Sequence, residues 1–191
     1  MKIRLIDPAY EHPYISHSQK VIKTIWFARL TLTTIAALTP PDIEVKITDE
    51  NVESIDFEED VDLVGVTGMV MHAPRAYQIA KRFRQRGIPV VMGGPHASSL
   101  PLEAKEHVDA VVIGEAENVW EGLIEDFKNG CLKPFYQADA FCSMERIPFP
   151  RLDLLRKDAY MTVNCVQTTR GCPHQCDFCH VTHFFGKTYR C

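Results

Sequence analysis

Two rhythms alternate along this chain. Short apolar runs rich in β-branched residues recur: Ile3-Arg4-Leu5-Ile6, Val45-Lys46-Ile47-Thr48, Leu63-Val64-Gly65-Val66, Val90-Val91-Met92 and Val111-Val112-Ile113. Each stops at a polar or glycine-bearing break, and runs of this kind predict strands buried on both faces, as in a parallel sheet. Between them the period lengthens to that of a helix. Phe27, Leu30, Thr34, Ile35 and Leu38 share one face before Pro40-Pro41. Ala76, Ile79, Ala80 and Phe83 recur at i, i+3, i+4 and i+7 and end at Arg86-Gly87. Val119, Trp120, Leu123, Ile124 and Phe127 form a third stripe closed by Asn129-Gly130, and a shorter helix is expected near Ser99 with Pro101 in its first turn.

Strands alternating with helices predict a doubly wound α/β domain with right-handed crossovers over residues 1–130. Ligands of such sheets bind outside the carboxyl ends of the strands. The loops of interest therefore run from Asp7 to Tyr14, Thr67 to His72, Gly93 to Ser99 and Gly114 to Asn118. Over 131–159 the period dissolves around Pro134, Pro148 and Pro150, which reads as a linker, with residues 147–151 an extended strap. Residues 160–167 then read as the first strand of an incomplete second unit, 160–191, of the β/α-barrel kind.

Composition narrows the function. The chain has 191 residues, 46% hydrophobic and 24% charged, which is ordinary for a globular protein. A net charge of -4, with no basic block longer than residues 81–86, argues against nucleic-acid binding. No stretch has the length of a transmembrane span, and the N-terminus has no signal-peptide core. A cytoplasmic location is expected, in which the seven cysteines stay reduced and available as ligands.

Three of those thiols are closely spaced: Cys172-x3-Cys176-x2-Cys179. Iron–sulfur clusters usually have four thiolate ligands, so a run of three suggests a cluster with one iron left open. The alternative is zinc, with His180 or His183 completing a Cys3His set, although structural zinc sites usually place a second ligand pair further along the chain. Cys131, Cys142, Cys165 and Cys191 lack such spacing and read as buried or idle thiols. The strand-end loops carry neither G-x-G-x-x-G nor G-x-x-x-x-G-K-[ST], so NAD and ATP lack a motif. Gly93-Gly94-Pro95-His96 instead offers two residues without Cβ, suited to a tight turn or to close approach of a large flat ligand.

The cysteine loop, with Phe178 just before Cys179, resembles that of the radical S-adenosylmethionine (SAM) superfamily. The resemblance implies a [4Fe-4S] cluster on Cys172, Cys176 and Cys179, SAM chelated to the open iron, reductive cleavage to a 5′-deoxyadenosyl radical, and Phe178 beside the adenine. Upstream, Asp49-Glu50-Asn51, Gly65-Val66-Thr67-Gly68-Met69, Gly93-Gly94-Pro95-His96 and Gly114-Glu115-Ala116-Glu117 occur in the order of the cobalamin-binding domain that precedes class B radical SAM cores. That domain is Rossmann- or flavodoxin-like. The likeness implies cobalamin contacts from Thr67, Gly68, Met69, Val70, His72, Gly93, Gly94, Pro95, His96, Gly114, Glu115 and Glu117. The D-x-H-x-x-G motif of cobalamin mutases is absent. A base-displaced cofactor is therefore expected, its lower face covered by Met69-Val70-Met71-His72. His72 would be a weak lower ligand, a hydrogen-bond donor to the corrin edge, or a satisfied loop histidine. Glu115 and Glu117 would bond ribose or corrin amides, or be acids near a helix N-terminus.

The implied function is the N-terminal part of a cobalamin-dependent radical SAM enzyme that transfers a methyl group to an unactivated carbon. No catalytic residue beyond the cluster ligands is assigned. An electron donor such as flavodoxin or ferredoxin and a small-molecule or lipid substrate are the expected partners; Phe184-Phe185-Gly186-Lys187 resembles the hopanoid-methylase subgroup. SAM-ribose motifs and the substrate pocket are expected beyond Cys191, so the 191-residue chain alone is expected not to turn over SAM. The alternatives are a stand-alone cobalamin module with a non-catalytic cluster loop, or a zinc-binding structural module.

Overall fold

The computed structural model describes residues 1–10 and 25–191, so positions 11–14 of the first expected ligand loop lie outside the described residues. The strands in chain order are β1 (Lys2–Asp7), β2 (Ile25–Phe27), β3 (Glu44–Asp49), β4 (Leu63–Thr67), β5 (Val90–Gly93), β6 (Ala110–Ile113), β7 (Phe135–Gln137) and β8 (Tyr160–Thr162). The helices are α1 (Leu30–Leu38), α2 (Ala73–Gln85), α3 (Pro95–Ser99), α4 (Pro101–His107), α5 (Trp120–Lys128) and α6 (Val181–Phe185).

Six strands form one sheet in the order β3-β1-β4-β5-β6-β7, and every pairing within it is parallel. This is the doubly wound α/β fold of flavodoxin-like type, extended by one edge strand. Alternation along the strands supplies two cores. Ile3, Leu5, Leu63, Val91 and Val112 face Leu32 and Ile35 of α1 and Trp120, Leu123 and Ile124 of α5. Ile6, Val64, Val66, Val90, Met92 and Val111 face Ala76, Ile79, Ala80 and Phe83 of α2 and Ala104 of α4. Each such fully buried large side chain contributes about 1.5–3 kcal/mol. Strand order reverses between β1 and β4, which is where this topology opens a crevice at the carboxyl ends.

Three strands depart from the expected pattern. Phe27 belongs to β2 and is exposed, so it leaves the stripe expected on the first helix. β7 lies in the segment read as patternless, pairing with β6 from Val111↔Phe135 to Ile113↔Gln137. Three residues are too few to display a period of two, and both strands exist because a partner strand completes them. β8 is shorter than the expected 160–167 and pairs in parallel with β2 as a separate two-stranded sheet.

Candidate functional site

Outside the carboxyl ends of β1, β4, β5 and β6, on the α1 and α5 side, lies a cavity of about 590 Å³. Its floor takes one residue from each strand, Leu5, Gly65, Val91 and Val112, with Trp120 beside them. Gly65 sets the depth: a Cβ there would meet Leu5 Cδ2 at 2.7 Å and the Trp120 ring at 3.9 Å. Trp120 is held by its indole N–H, which donates to Thr39 Oγ1 at 2.8 Å, so the buried donor is satisfied and the ring can face an apolar space. The outer wall comes from residues 147–150 and from Val166, Gln167 and Arg170. The Arg151 N–H fastens that strap to α1 through the Thr33 carbonyl at 3.0 Å.

Gly93, Gly94 and Pro95 form part of the rim with Thr67. Gly94 has φ 92°, and a Cβ on it would lie 2.6 Å from Thr67 Oγ1 and 3.2 Å from the Gly68 nitrogen. Both the left-handed backbone and the close approach exclude a side chain. The His96 N–H donates to the Gly68 carbonyl at 3.1 Å, stapling the loops after β4 and β5 together.

Of the residues expected at cobalamin, Thr67, Gly93, Gly94, Pro95, Gly114, Glu115 and Glu117 line this cavity. Gly68, Met69, Val70 and His72 lead away from its wall through a 3-10 turn at Val70–His72. His72 is buried and its Nδ1 accepts the Met69 N–H at 3.2 Å. Burial, with the Arg29 charge nearby, pushes its imidazole below the usual value, so the ring is neutral at pH 7. Met69, Val70 and Met71 expose their side chains as an apolar platform at the same end of the sheet. The His96 imidazole points among the helices of the other face: Nε2 meets Tyr77 Oη at 2.7 Å, and that hydroxyl donates to Glu103 Oε1 at 2.9 Å.

Glu115 and Glu117 are engaged by two arginines that the sequence reading did not single out. Arg170 Nη1 donates to Glu115 Oε1 at 2.8 Å while Arg170 Nη2 stands 2.6 Å from Glu117 Oε1. Arg190 donates to both oxygens of Glu115, at 2.9 Å each, and the Cys142 N–H adds a bond to Oε2 at 2.8 Å. Burial opposes the charge on Glu115, but the bonds from Arg190, Arg170 and Cys142 outweigh it and hold the carboxyl below its usual range. Two carboxylates thus balance two guanidiniums, the condition under which buried charge is tolerated.

Cys172, Cys176 and Cys179 share the loop that Arg170 opens. The Cys172 N–H donates to the Gly186 carbonyl at 3.1 Å, and the Cys179 N–H closes a turn on the Cys176 carbonyl at 3.0 Å. All three are free thiols, and the Phe178 ring is almost wholly exposed. Among the described residues no three Cys, His, Asp or Glu side chains are gathered as a metal site. The donor set nevertheless fits a cluster by its chemistry, three soft thiols on one loop with the remaining iron position left for another ligand.

A second buried group stands at the switch point. Asp7 and Asp49 end β1 and β3 side by side. Arg29 donates to Asp7 Oδ1 at 2.8 Å, and the Tyr160 hydroxyl to Asp49 Oδ2 at 2.9 Å. Burial, opposed by Arg29 and reinforced by Asp49, raises the Asp7 carboxyl to about 7.

Residues 30–124 match the family described as B12 binding domain. A bacteriochlorophyllide d C-8(2)-methyltransferase from Chlorobaculum tepidum is 38% identical over 84% of this chain and 37% of its own length. A bacteriochlorophyllide d C-12(1)-methyltransferase from the same organism is 32% identical over 84% of this chain and 37% of its length. A hopanoid C-2 methylase from Rhodopseudomonas palustris is 28% identical over 83% of this chain and 31% of its length. The chain thus spans just over a third of the length of the first two relatives.

Proposed function

Residues 30–124 belong to the B12 binding domain family, and from that premise we propose that the chain is the cofactor-binding part of a cobalamin-dependent radical SAM methyltransferase. The observation that carries this reading is the cavity at the carboxyl ends of β1, β4, β5 and β6, with the cysteine loop fastened at its mouth through Arg170. Cobalamin, when bound, supplies the methyl group, and a cluster with SAM supplies the radical that prepares the substrate carbon.

The residues divide the work. Leu5, Gly65, Val91, Val112 and Trp120 form an apolar slot for the cofactor's nucleotide tail, and Gly93-Gly94 lets that tail approach the backbone. The exposed Met69, Val70 and Met71 side chains would cover the lower corrin face and exclude water, while His72 stays bonded to its own loop. Cys172, Cys176 and Cys179 would hold the cluster, and Phe178 would lie near the adenine of SAM. The relatives' names point to polycyclic substrates, a tetrapyrrole in two and a hopanoid in the third. We extend this to a large, rigid, apolar acceptor.

One observation favours a second reading, a cobalamin module whose loop carries no cluster: the three thiols are not gathered among the described residues. Anaerobic reconstitution with iron and sulfide separates the two. A brown protein with a broad visible shoulder, lost in Cys172→Ala, Cys176→Ala and Cys179→Ala, supports the enzyme reading. Stoichiometric zinc with no iron uptake sinks the enzyme reading. Failure to bind hydroxocobalamin sinks both.

A further inference from the structure

Resting on that reading, we propose that Glu115 is a positioning residue that grips both ends of the cysteine loop and sets it at the mouth of the cofactor cavity. The loop is closed at its base. Arg170 and Arg190 form an isolated antiparallel bridge, with the Arg170 N–H on the Arg190 carbonyl at 3.0 Å and the reverse bond at 2.8 Å. All three thiols lie between these two arginines, and both guanidiniums converge on one carboxylate. Arg170 approaches Glu115 at 2.8 Å from the start of the loop, and Arg190 approaches the same side chain at 2.9 Å from its end.

Glu115 itself is fixed from the sheet side. It follows β6 directly after Gly114, and both line the cavity together with Glu117 and Arg170. The carboxylate has no freedom to follow a drifting loop, because its Oε2 also takes the Cys142 N–H at 2.8 Å and its side chain is 3% exposed. Arg190 makes two further bonds, from Nη1 to the Cys142 carbonyl at 2.6 Å and from Nη2 to the Phe185 carbonyl at 3.0 Å, so α6 is drawn into the same knot. A cluster on these cysteines would stand at a distance from the cavity set by Arg190, whose fork takes both oxygens of Glu115, and by Arg170, whose fork spans Glu115 and Glu117. Planar bidentate pairing fixes direction as well as separation, which a lysine in either position would not do.

The clamp is tested on the full chain in two states. In the metal-free protein, alkylation of Cys172 and Cys179 is followed by mass spectrometry, with exposed Cys131 as internal reference. After anaerobic reconstitution, release of iron to a ferrous chelator and the EPR spectrum of the dithionite-reduced cluster are recorded. In Glu115→Gln, loss of an outer-shell anchor should speed alkylation and iron release by about tenfold. The EPR signal should change as well. Arg190→Lys keeps the charge and should show the same changes in smaller degree, which covers a failure of Glu115→Gln to fold. Wild-type alkylation, iron release and EPR in a folded variant overturn the proposal. A wild-type chain that takes up no iron, while Glu115→Gln still exposes its thiols, keeps the clamp and removes the enzyme reading.

Discussion

The hydroxyl oxygen of Thr67 stands 2.6 Å from the point where residue 94 would carry a Cβ, so the last residue of β4 and the turn after β5 can meet only through a glycine. Gly94→Ala therefore pushes two strand-end loops apart and forces alanine to φ 92°. A loss of about 2 kcal/mol in denaturant unfolding is expected, from strain and crowding together. Gly93→Leu separates fold from binding. A Cβ there meets Val112 at an ordinary 3.5 Å, so the midpoint should hold while the added side chain fills the cavity. Hydroxocobalamin affinity should fall by about tenfold or more, equivalent to about 1.4 kcal/mol.

His72 gives a spectroscopic test. With its Nδ1 accepting the Met69 N–H, a neutral ring carries its proton on Nε2 and offers no lone pair to a metal. His72→Ala should bind hydroxocobalamin with an unchanged, base-displaced spectrum, yet lose about 1–3 kcal/mol of stability through the emptied, unpaired site. A wild-type spectrum showing histidine ligation that vanishes in the variant would contradict this arrangement.

Asp7 makes stability depend on pH. Its folded value of about 7 lies above the ordinary 3.8, so the folded state holds the proton more tightly. The contribution is complete below about pH 4 and is lost as the pH climbs through about 7. The Arg29 bond argues for a charged carboxyl, but Arg29 is 48% exposed and screened by solvent, whereas Asp7 is buried beside Asp49 and the Tyr160 hydroxyl. Burial therefore decides the direction. Wild type should lose about 2 kcal/mol between pH 5 and 8, roughly half of the unscreened effect. Asp7→Asn should flatten that slope.

Trp120 reports on the cavity from its floor. The chain has two tryptophans, so Trp26→Phe leaves Trp120 as the single emitter. Hydroxocobalamin titrated into that variant should quench the emission to saturation at one equivalent. Trp120→Phe should cost about 1–2 kcal/mol in unfolding, because the Thr39 hydroxyl loses a buried donor.

The strands that support the cavity were legible because burial on both faces leaves continuous runs of β-branched residues with abrupt ends, as at Leu63-Val64-Gly65-Val66. Gly93-Gly94 was legible for a related reason: glycine pairs after such a run mark a backbone that something approaches closely. β2 and β7 were hidden because three residues carry no period and exist only through a partner far along the chain. The pairing of Glu115 with Arg170 and Arg190 was equally hidden. Charged residues at the end of a strand and around a cysteine loop have no spacing that names a partner, and only the closure of the sheet brings them together. The tilt of His96 toward Tyr77 was invisible too, since a histidine after a glycine pair reads the same whichever face its ring takes.

The pairing of β2 with β8 has a consequence in time. The six-stranded sheet is assembled almost wholly from neighbours in sequence, whereas β8 must return from the far end of the chain to meet β2. Contacts of such long separation form late in folding, because a large loop must close before they gain anything. The outer wall of the cavity, residues 147–150 and Val166 to Arg170, is carried on that returning segment. This separation predicts that the slot forms first as an open trough on a finished sheet and is walled only when β8 returns. Hydroxocobalamin present during refolding should therefore quench Trp120 faster than hydroxocobalamin added to the folded chain, and equal rates in a stopped-flow comparison would contradict this order.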